Sequence, residues 1–476
     1  MIVTALLTGA SPMPTTIPNR RPKGPKGSAC RPSVLPVALR LPTALLLPTA
    51  LLLAVVASLV PAARAASPAA TPPHIVFIIS DDHHGSDYGF MGHPVIQTPN
   101  LDRLASQSVL YRRGYVPSSL CCPSLASIIS GRYPHQHRIT SNDPPPPPGG
   151  RQPTATDPAF QAAREPFNKL MDNLPTLPRL LAARGYVSFQ TGKWWQGDYS
   201  HGGFTAGMTR GTRHGDDGLK IGRETMQPAW DFIDGALRDN KPFFLWYAPF
   251  LPHSPHTPPD RLLAKYKDKS PSLHIARYWA MIEWLDETCG QLLQRLEERK
   301  IADNTLVVYV TDNGWIQDPD SPRYAPRSKQ SQYNGGLQTP IMIRWPARAQ
   351  PADRPYLASS IDLAPTALHA AGLPVPPDMP GINLLDAKAA AARTTIHGEI
   401  FTHDSQSLDS PAASLRWRWI ISGHAKLIVP HPANEPNAPV ELYDLAADPD
   451  ESHNLAPQQP AQVADLTARL NAWWTP

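Results

Sequence analysis

Two short acidic motifs follow apolar, β-branched runs, the first directly and the second after one threonine. Asp81-Asp82 follows HIVFIIS (74–80), and Asp312-Asn313-Gly314 follows LVVYV (306–310). Consecutive carboxylates at the end of a buried strand repel each other and destabilise it unless a cation compensates them. Either motif alone reads as well as a turn or a helix cap. As a pair in the same strand-end setting they favour metal binding. They offer oxygen ligands only, which suits a hard cation such as Ca2+ or Mg2+. The adjacent thiols Cys121-Cys122 are a third chemical feature. Neighbouring cysteines rarely bridge to each other, so this pair is a candidate for chemistry rather than for a staple.

Such residues need a scaffold that gathers strand ends. The run His74 to Ser80 is continuously apolar and β-branched, as expected of a strand buried on both faces. The same holds for Phe243–Tyr247, Leu306–Val310 and Ile341–Trp345. Between them lie helical patterns such as Thr98–Gln107 and Ile275–Arg299, the latter with Leu285, Leu292, Leu293 and Leu296 on one face. Strands alternating with helices predict an α/β fold, with a largely parallel sheet and helices on both faces. Open sheets of this kind bind ligands outside the carboxyl ends of their strands. Pro144–Pro148 with Gly149-Gly150 reads as a stiff spacer feeding an irregular loop to about residue 165.

At 476 residues the chain can bury one large core and a smaller annex. A net charge of +4 without a basic block excludes nucleic acid as a partner. Residues 1–66 read as a leader: Arg20, Arg21, Lys23 and Lys26 precede an apolar stretch from Leu41 to Val60, and Ala63-Arg64-Ala65 has the form of a cleavage site. Pro42 and Pro48 interrupt the apolar stretch, which favours a cleaved secretory signal over a membrane anchor. The expectation is a periplasmic or secreted protein with no stable membrane span after cleavage. It would retain Cys121, Cys122 and Cys289, the last in a predicted helix, so no disulfide framework is expected.

The segment around Cys121, Pro123 and Ser124, closed by Gly131-Arg132, resembles the C-x-P-S-R signature and T-G-R tail of the type I sulfatases. Thr191-Gly192-Lys193-Trp194-Trp195 is similar to that family's T-G-K-W-H, and Pro252-His253-Ser254-Pro255 to its P-H-x-P. Lys329 precedes Asn334-Gly335-Gly336 where the family has a lysine before E-G-G. Thr98–Ala105, Tyr278–Leu306 and Glu441–Leu445 with Asp448-Pro449 and Asn454-Leu455 resemble the family's flanking segments, so the likeness covers most of 74–456. It implies an alkaline-phosphatase-like α/β sandwich, with a large mixed, mostly parallel sheet and a small C-terminal α+β subdomain. The boundaries expected are 67–385 for the catalytic domain and 386–476 for the subdomain.

The resemblance also implies a chemistry. A maturation enzyme oxidises Cys121 to formylglycine, whose hydrate attacks sulfur through one hydroxyl and expels sulfate through the other. Asp81, Asp82, Asp312 and Asn313, with the modified Cys121, hold one Ca2+. Lys193 and Lys329 balance the sulfate charge, and His253 contacts the sulfate and can pass a proton to the leaving group. His256 competes for that role, but the motif register favours His253. The substrate is a sulfate ester of a carbohydrate or an aryl alcohol. Two positions depart from the pattern: Leu125 stands in place of the signature arginine and Trp195 in place of the histidine. Arg210, Arg213, His214 and Arg223, in a Gly-rich stretch with Asp216 and Asp217, are candidates to support the nucleophile instead. Two alternatives remain: a phosphoester or phosphonate hydrolase, and a non-catalytic protein that binds sulfated or other anionic glycans.

Overall fold

A computed structural model describes residues 71–147, 150 and 152–476; the leader expected over 1–66, and Pro148-Gly149 of the proline spacer, lie outside the described residues. The large sheet contains β1 (His74–Ser80), β2 (Val109–Tyr111), β3 (Val187–Gly192), β4 (Ala206–Gly207), β5 (Phe243–Ala248), β6 (Thr305–Thr311), β7 (Ile341–Arg344) and β8 (Ala352–Asp353). Their spatial order is β4-β3-β5-β1-β6-β7-β2-β8. The strands from β4 to β6 in that order are parallel, whereas β7 runs antiparallel to both its neighbours. Its direction follows from its connection. Between Thr311 and Ile341 the chain forms only the one-turn helix Asn334–Leu337. No crossover helix carries it back, so it re-enters the sheet from the edge at which β6 leaves.

The side chains of β1 alternate between two cores. Ile75, Phe77 and Ile79 pack on one face with the helices α2 (Cys121–Ser130), α3 (Pro158–Lys169) and α6 (Leu363–Ala370). Val76 and Ile78 pack on the other with α1 (Pro99–Ser106), α4 (Gln227–Arg238) and α5 (Leu273–Glu298). Leu285, Leu292, Leu293 and Leu296 of α5 all lie in this second core, as their spacing predicts. At about 2 kcal/mol for each fully buried aliphatic side chain, these two layers hold the central strands in place.

The stretch after the proline spacer is not irregular to residue 165. Asp157 caps the first turn of α3 by accepting the N–H of Ala159, and Pro158 occupies the position where a missing N–H costs nothing. Phe160 and Phe167 then bury the inner face.

A second, antiparallel sheet comprises β9 (Thr395–Phe401), β10 (Leu415–Ser422), β11 (Ala425–Pro430) and β12 (Glu441–Asp444). One face buries Ile396, Trp417, Trp419 and Ile428 against Tyr115, Val116 and Leu337. The other buries Ile420, Leu427 and Leu442 under α7 (Pro460–Trp473). Among the described residues no helix is long and apolar enough to cross a membrane.

The helix that begins with Cys121 is braced by a buried histidine. His137 Nδ1 accepts the N–H of Ile139 at 3.1 Å, so its Nε2–H donates to Ser127 Oγ at 3.0 Å. Burial, reinforced by His135 and Arg132, holds its pKa down at about 3. The unfolded chain takes up this proton below about 6.5 and the folded one does not, so the contribution to stability falls as pH drops from 6.5 toward 3. For this one group the loss between pH 7 and pH 5 is about 2 kcal/mol. His137→Gln is expected to remove that share of the acid sensitivity, read as the difference in urea unfolding free energy between the two pH values.

Candidate active site at the carboxyl ends of four strands

Four neighbouring parallel strands, β3, β5, β1 and β6, deliver their carboxyl-terminal residues to one edge of the sheet. Lys193 follows β3, His253 lies five residues beyond β5, Asp81 and Asp82 follow β1, and Asp312 and Asn313 follow β6. Cys121, the first residue of α2, and Lys329, from the loop between β6 and β7, complete the group. Every residue expected at the site from the sequence therefore comes to one place. Cys121, Asp82, His253 and Lys329 line a cavity of about 550 Å3.

The charges interlock. Lys193 Nζ donates to Asp81 Oδ1 at 2.5 Å and approaches Asp312 Oδ2 at 3.4 Å. Lys329 Nζ bridges both oxygens of Asp82, at 2.6 and 2.7 Å. Burial alone would lower the pKa of each lysine, but the carboxylates beside them outweigh it and push both up, so both stay charged. Asp81 is displaced upward by burial and by Asp312 and Asp82, against the pull of Lys193. Three carboxylates thus face two ammonium groups. Asp81 Oδ2 and Asn313 Oδ1 are both buried without a hydrogen-bond partner. Two orphaned oxygens amid excess negative charge are what a hard, oxygen-seeking cation would satisfy.

His253 Nδ1 bonds the carbonyl of Ser254 at 2.5 Å, so this nitrogen carries the ring proton. Nε2 then faces Asp82 Oδ2 at 3.3 Å. Burial first, and Lys193 and Lys329 next, hold the His253 pKa well below the usual histidine range. Its neutral ring brings a fourth ligand type to the cluster: one donor atom each from Asp81, Asp82, Cys121 and His253 lie within 4.8 Å of one another. His256 turns elsewhere, onto the rings of Tyr278 and Trp315. Arg223, stacked 5.1 Å from Phe250, donates to the carbonyls of Phe250 and His253 and so fixes the histidine loop.

Cys121 Sγ lies 3.9 Å from Asp82 Oδ1. Burial pushes its thiol pKa up more than the two lysines pull it down, so a plain thiol here stays protonated and is a poor nucleophile. Leu125 is buried in the core below. Trp195 is also buried, with Lys193 Nζ 5.9 Å and the Arg213 guanidinium 4.6 Å from its ring. Around it is a polar network that the sequence did not disclose. Arg164 of α3, 1% exposed, donates to the carbonyls of Asn142 and Trp195 and to Asp143 Oδ1. Asn142 Oδ1 in turn accepts the N–H of Cys122 at 3.0 Å. The Asp-Pro start of α3 was a readable helix signal, and Arg164 lies two turns inside it. Arg210 sits outside the cavity lining, 5.7 Å over Tyr199.

The loop bearing Lys329 is clamped by the C-terminal layer. Lys426 of β11 is fully buried and donates to Glu451 Oε1 at 2.6 Å and Asn334 Oδ1 at 3.2 Å. Glu451 Oε2 accepts the N–H of Asn334 at 2.6 Å, and Arg327 stacks 3.5 Å from the ring of Tyr333.

The Sulfatase family model matches residues 73–373, and the model for the C-terminal region of N-sulphoglucosamine sulphohydrolase matches 327–473. Arylsulfatase A of Homo sapiens is 28% identical over 373 residues, which are 67% of this chain and 68% of that protein. N-acetylgalactosamine-6-sulfatase of Homo sapiens is 29% identical over 375 residues, 67% of this chain and 66% of that one. The chain therefore spans about two thirds of the length of these relatives. Ps i-CgsB in complex with k-i-k-neocarrahexaose superposes with a TM-score of 0.65 at 23% identity, over 85% of this chain and 93% of that one. The phosphonate monoester hydrolase of Agrobacterium radiobacter does so with 0.64 at 18% identity, over 84% and 96%. These likenesses show the fold to be the alkaline-phosphatase-like α/β sandwich.

Gly192 sets the direction in which Lys193 leaves β3. Its φ is +77°, and a Cβ at this position would stand 1.8 Å from the carbonyl oxygen of Ala248. Gly192→Ala is expected to destabilise the fold by about 3 kcal/mol, combining a left-handed penalty with overpacking against backbone. The measurement is the shift in the urea unfolding midpoint.

Proposed function

We infer, for a chain that belongs to the sulfatase family of sulfuric ester hydrolases, that it is exported and cleaves sulfate esters of carbohydrates or aryl alcohols. Cys121, converted to formylglycine, is the nucleophile of this reaction. The single observation that carries the proposal is the meeting of a buried, unactivated Cys121 with a neutral His253, a charged Lys329 and Asp82 in the lining of one cavity, beside the ion-paired cluster of Lys193, Asp81 and Asp312. Asp81, Asp82, Asp312 and Asn313, with the modified Cys121, would hold Ca2+, and the orphaned Asp81 Oδ2 and Asn313 Oδ1 fit that role. When present, formylglycine supplies an oxygen nucleophile with a second hydroxyl for sulfate release, and Ca2+ supplies Lewis-acid polarisation.

The rest is the work of the chain's own side chains. Lys193 and Lys329, held charged by the carboxylates beside them, are placed to offset the negative charge that a sulfate ester spreads over its three non-bridging oxygens. His253 is fixed by the Ser254 carbonyl with Nε2 turned toward Asp82. Nε2 is thus the atom at which a proton can be held and passed to the leaving oxygen. The low pKa keeps the ring from storing that proton in the resting state. Phe250 and Trp195 wall the lysine from bulk water, which strengthens its attraction for an anion.

Peptide mass spectrometry across residues 114–132, on protein from its exporting host, is expected to find the aldehyde at Cys121. Cys121→Ala should lower kcat for 4-nitrophenyl sulfate by at least about 1000-fold. An unmodified, alkylatable thiol in the exported protein would instead favour a phosphoester or phosphonate hydrolase, tested by turnover of aryl phosphates.

Ca2+ added to chelator-treated protein is expected to contribute about 2.7 kcal/mol of stability at a hundredfold excess over Kd, read as a rise in melting temperature. Asp81→Asn should lose most of that rise, measured by calorimetry.

A further inference from the structure

The stretch after β4 brings a second imidazole into the catalytic cavity, and nothing proposed above employs it. His214 lines the same cavity as Cys121, His253 and Lys329. Its ring stands edge-on 4.4 Å from Trp195, 5.7 Å from Phe250 and 5.8 Å from the His253 ring. Lys193 Nζ lies over the same two aromatic rings, at 5.9 Å from Trp195 and 5.6 Å from Phe250. His214 and Lys193 therefore pack against the same two rings, of which Trp195 lines the cavity.

The hydrogen bonds specify which ring nitrogen carries the proton. Arg213 Nη1 lies 3.0 Å from His214 Nε2. A guanidinium only donates, so Nε2 is the acceptor and the proton resides on Nδ1. Arg213 is itself held by Asp143, Nε to Oδ1 at 2.9 Å and Nη2 to Oδ2 at 3.0 Å. Arg164 binds the same Asp143 Oδ1 at 3.1 Å. The chain Asp143–Arg213–His214 thus orients a neutral imidazole, and Nδ1–H has no hydrogen-bond partner among the described residues. Burial, then Arg213, Lys193, His253 and Lys329, hold the ring neutral by lowering its pKa well below the usual value.

The backbone is strained to achieve this. His214, Gly215 and Asp216 have φ of 76°, 124° and 49°, all in a range that side-chain-bearing residues avoid. The turn is held by the Asp216 carboxylate, which accepts the N–H groups of Arg210, Gly211 and Thr212 at 2.7, 3.0 and 3.1 Å. The His214 carbonyl also accepts the N–H of Trp194 at 3.0 Å.

We propose that His214 is a substrate-contacting residue whose Nδ1–H donates a hydrogen bond to the sulfate group of the bound ester, beside Lys193. This role rests on the sulfatase activity proposed above. It makes His214 a fixed neutral donor, complementary to an anion without adding a titratable charge.

The test uses the full enzyme with Ca2+, inorganic sulfate as the binding probe and 4-nitrophenyl sulfate as the turnover probe. His214→Gly removes the donor, and glycine accepts the left-handed backbone without penalty. His214→Asn tolerates the same backbone and places an amide N–H near the position of Nδ1. His214→Gly is expected to weaken sulfate binding and lower kcat/KM by about tenfold or more, with His214→Asn recovering to within about threefold of wild type. Sulfate binding by His214→Gly equal to wild type overturns the proposal. Equal losses in both variants also overturn it, because the donor is then irrelevant. If the wild type binds sulfate but turns over no sulfate ester, the sulfatase activity fails, and the three sulfate affinities still decide the role of His214. A wild type with no affinity for sulfate overturns both.

Discussion

Everything about the site follows from one electrostatic constraint: too much negative charge is buried at one edge of a sheet. Ligand atoms of Asp81 and Asp82 lie within 4.8 Å of each other, and Asp312 adds a third carboxylate alongside. At an effective dielectric of about 20, two like charges at that separation repel by about 3 kcal/mol. No carboxylate arrangement of this kind persists without compensating cations. Lys193 and Lys329 are drawn into the cluster by that need, which is why both are buried and both stay charged. Groups that balance the resting site are also the groups best placed to receive an anion. The architecture serves the same end. Only parallel neighbours deliver several chain turns to one edge, and the four strands that matter are contiguous and parallel.

How much of this was legible in the sequence depends on the range of the interaction. The buried strands were legible because burial on both faces demands an unbroken apolar run, and His74–Ser80 appears with the bounds read from sequence. The gathering of Asp81, Asp82, Asp312 and Asn313 was legible because strand ends in a parallel sheet share an edge. The reversed direction of β7 could be anticipated only from the missing crossover helix. Arg164 was not legible because its importance comes from contacts with Asp143 and Trp195, at sequence separations of 21 and 31 residues that no local pattern encodes. The Asp157-Pro158 start, seven residues beyond the Pro/Gly spacer, encodes the helix but not the partners of Arg164. His214 was visible only as one polar residue among several in a Gly-rich stretch, since its distinction is a backbone conformation and a tautomer.

The two positions that depart from the family pattern take on a physical meaning in the fold. Leu125 is part of the aliphatic core beneath α2, where it contributes packing and no charge. Trp195 supplies an aromatic wall whose faces are covered by cations, with Arg164, Lys193 and Arg213 all within 6 Å of its ring centre. Arg213 of the 210–216 turn lines the cavity, and Arg164 of α3 is buried against the Trp195 ring.

The buried pair Lys426–Glu451 has a consequence for the order in which the protein can be finished. Lys329 is held by a loop whose anchors, Asn334 and Tyr333, are gripped by residues 92 to 117 positions further along the chain. During synthesis the N-terminal strands and α2 emerge long before those anchors exist. The cavity therefore has no clamped wall on the Lys329 side until the chain has been made past Glu451. Cys121, whose only opening in the finished fold is the cavity it lines, is made long before the layer that clamps the Lys329 side of that cavity.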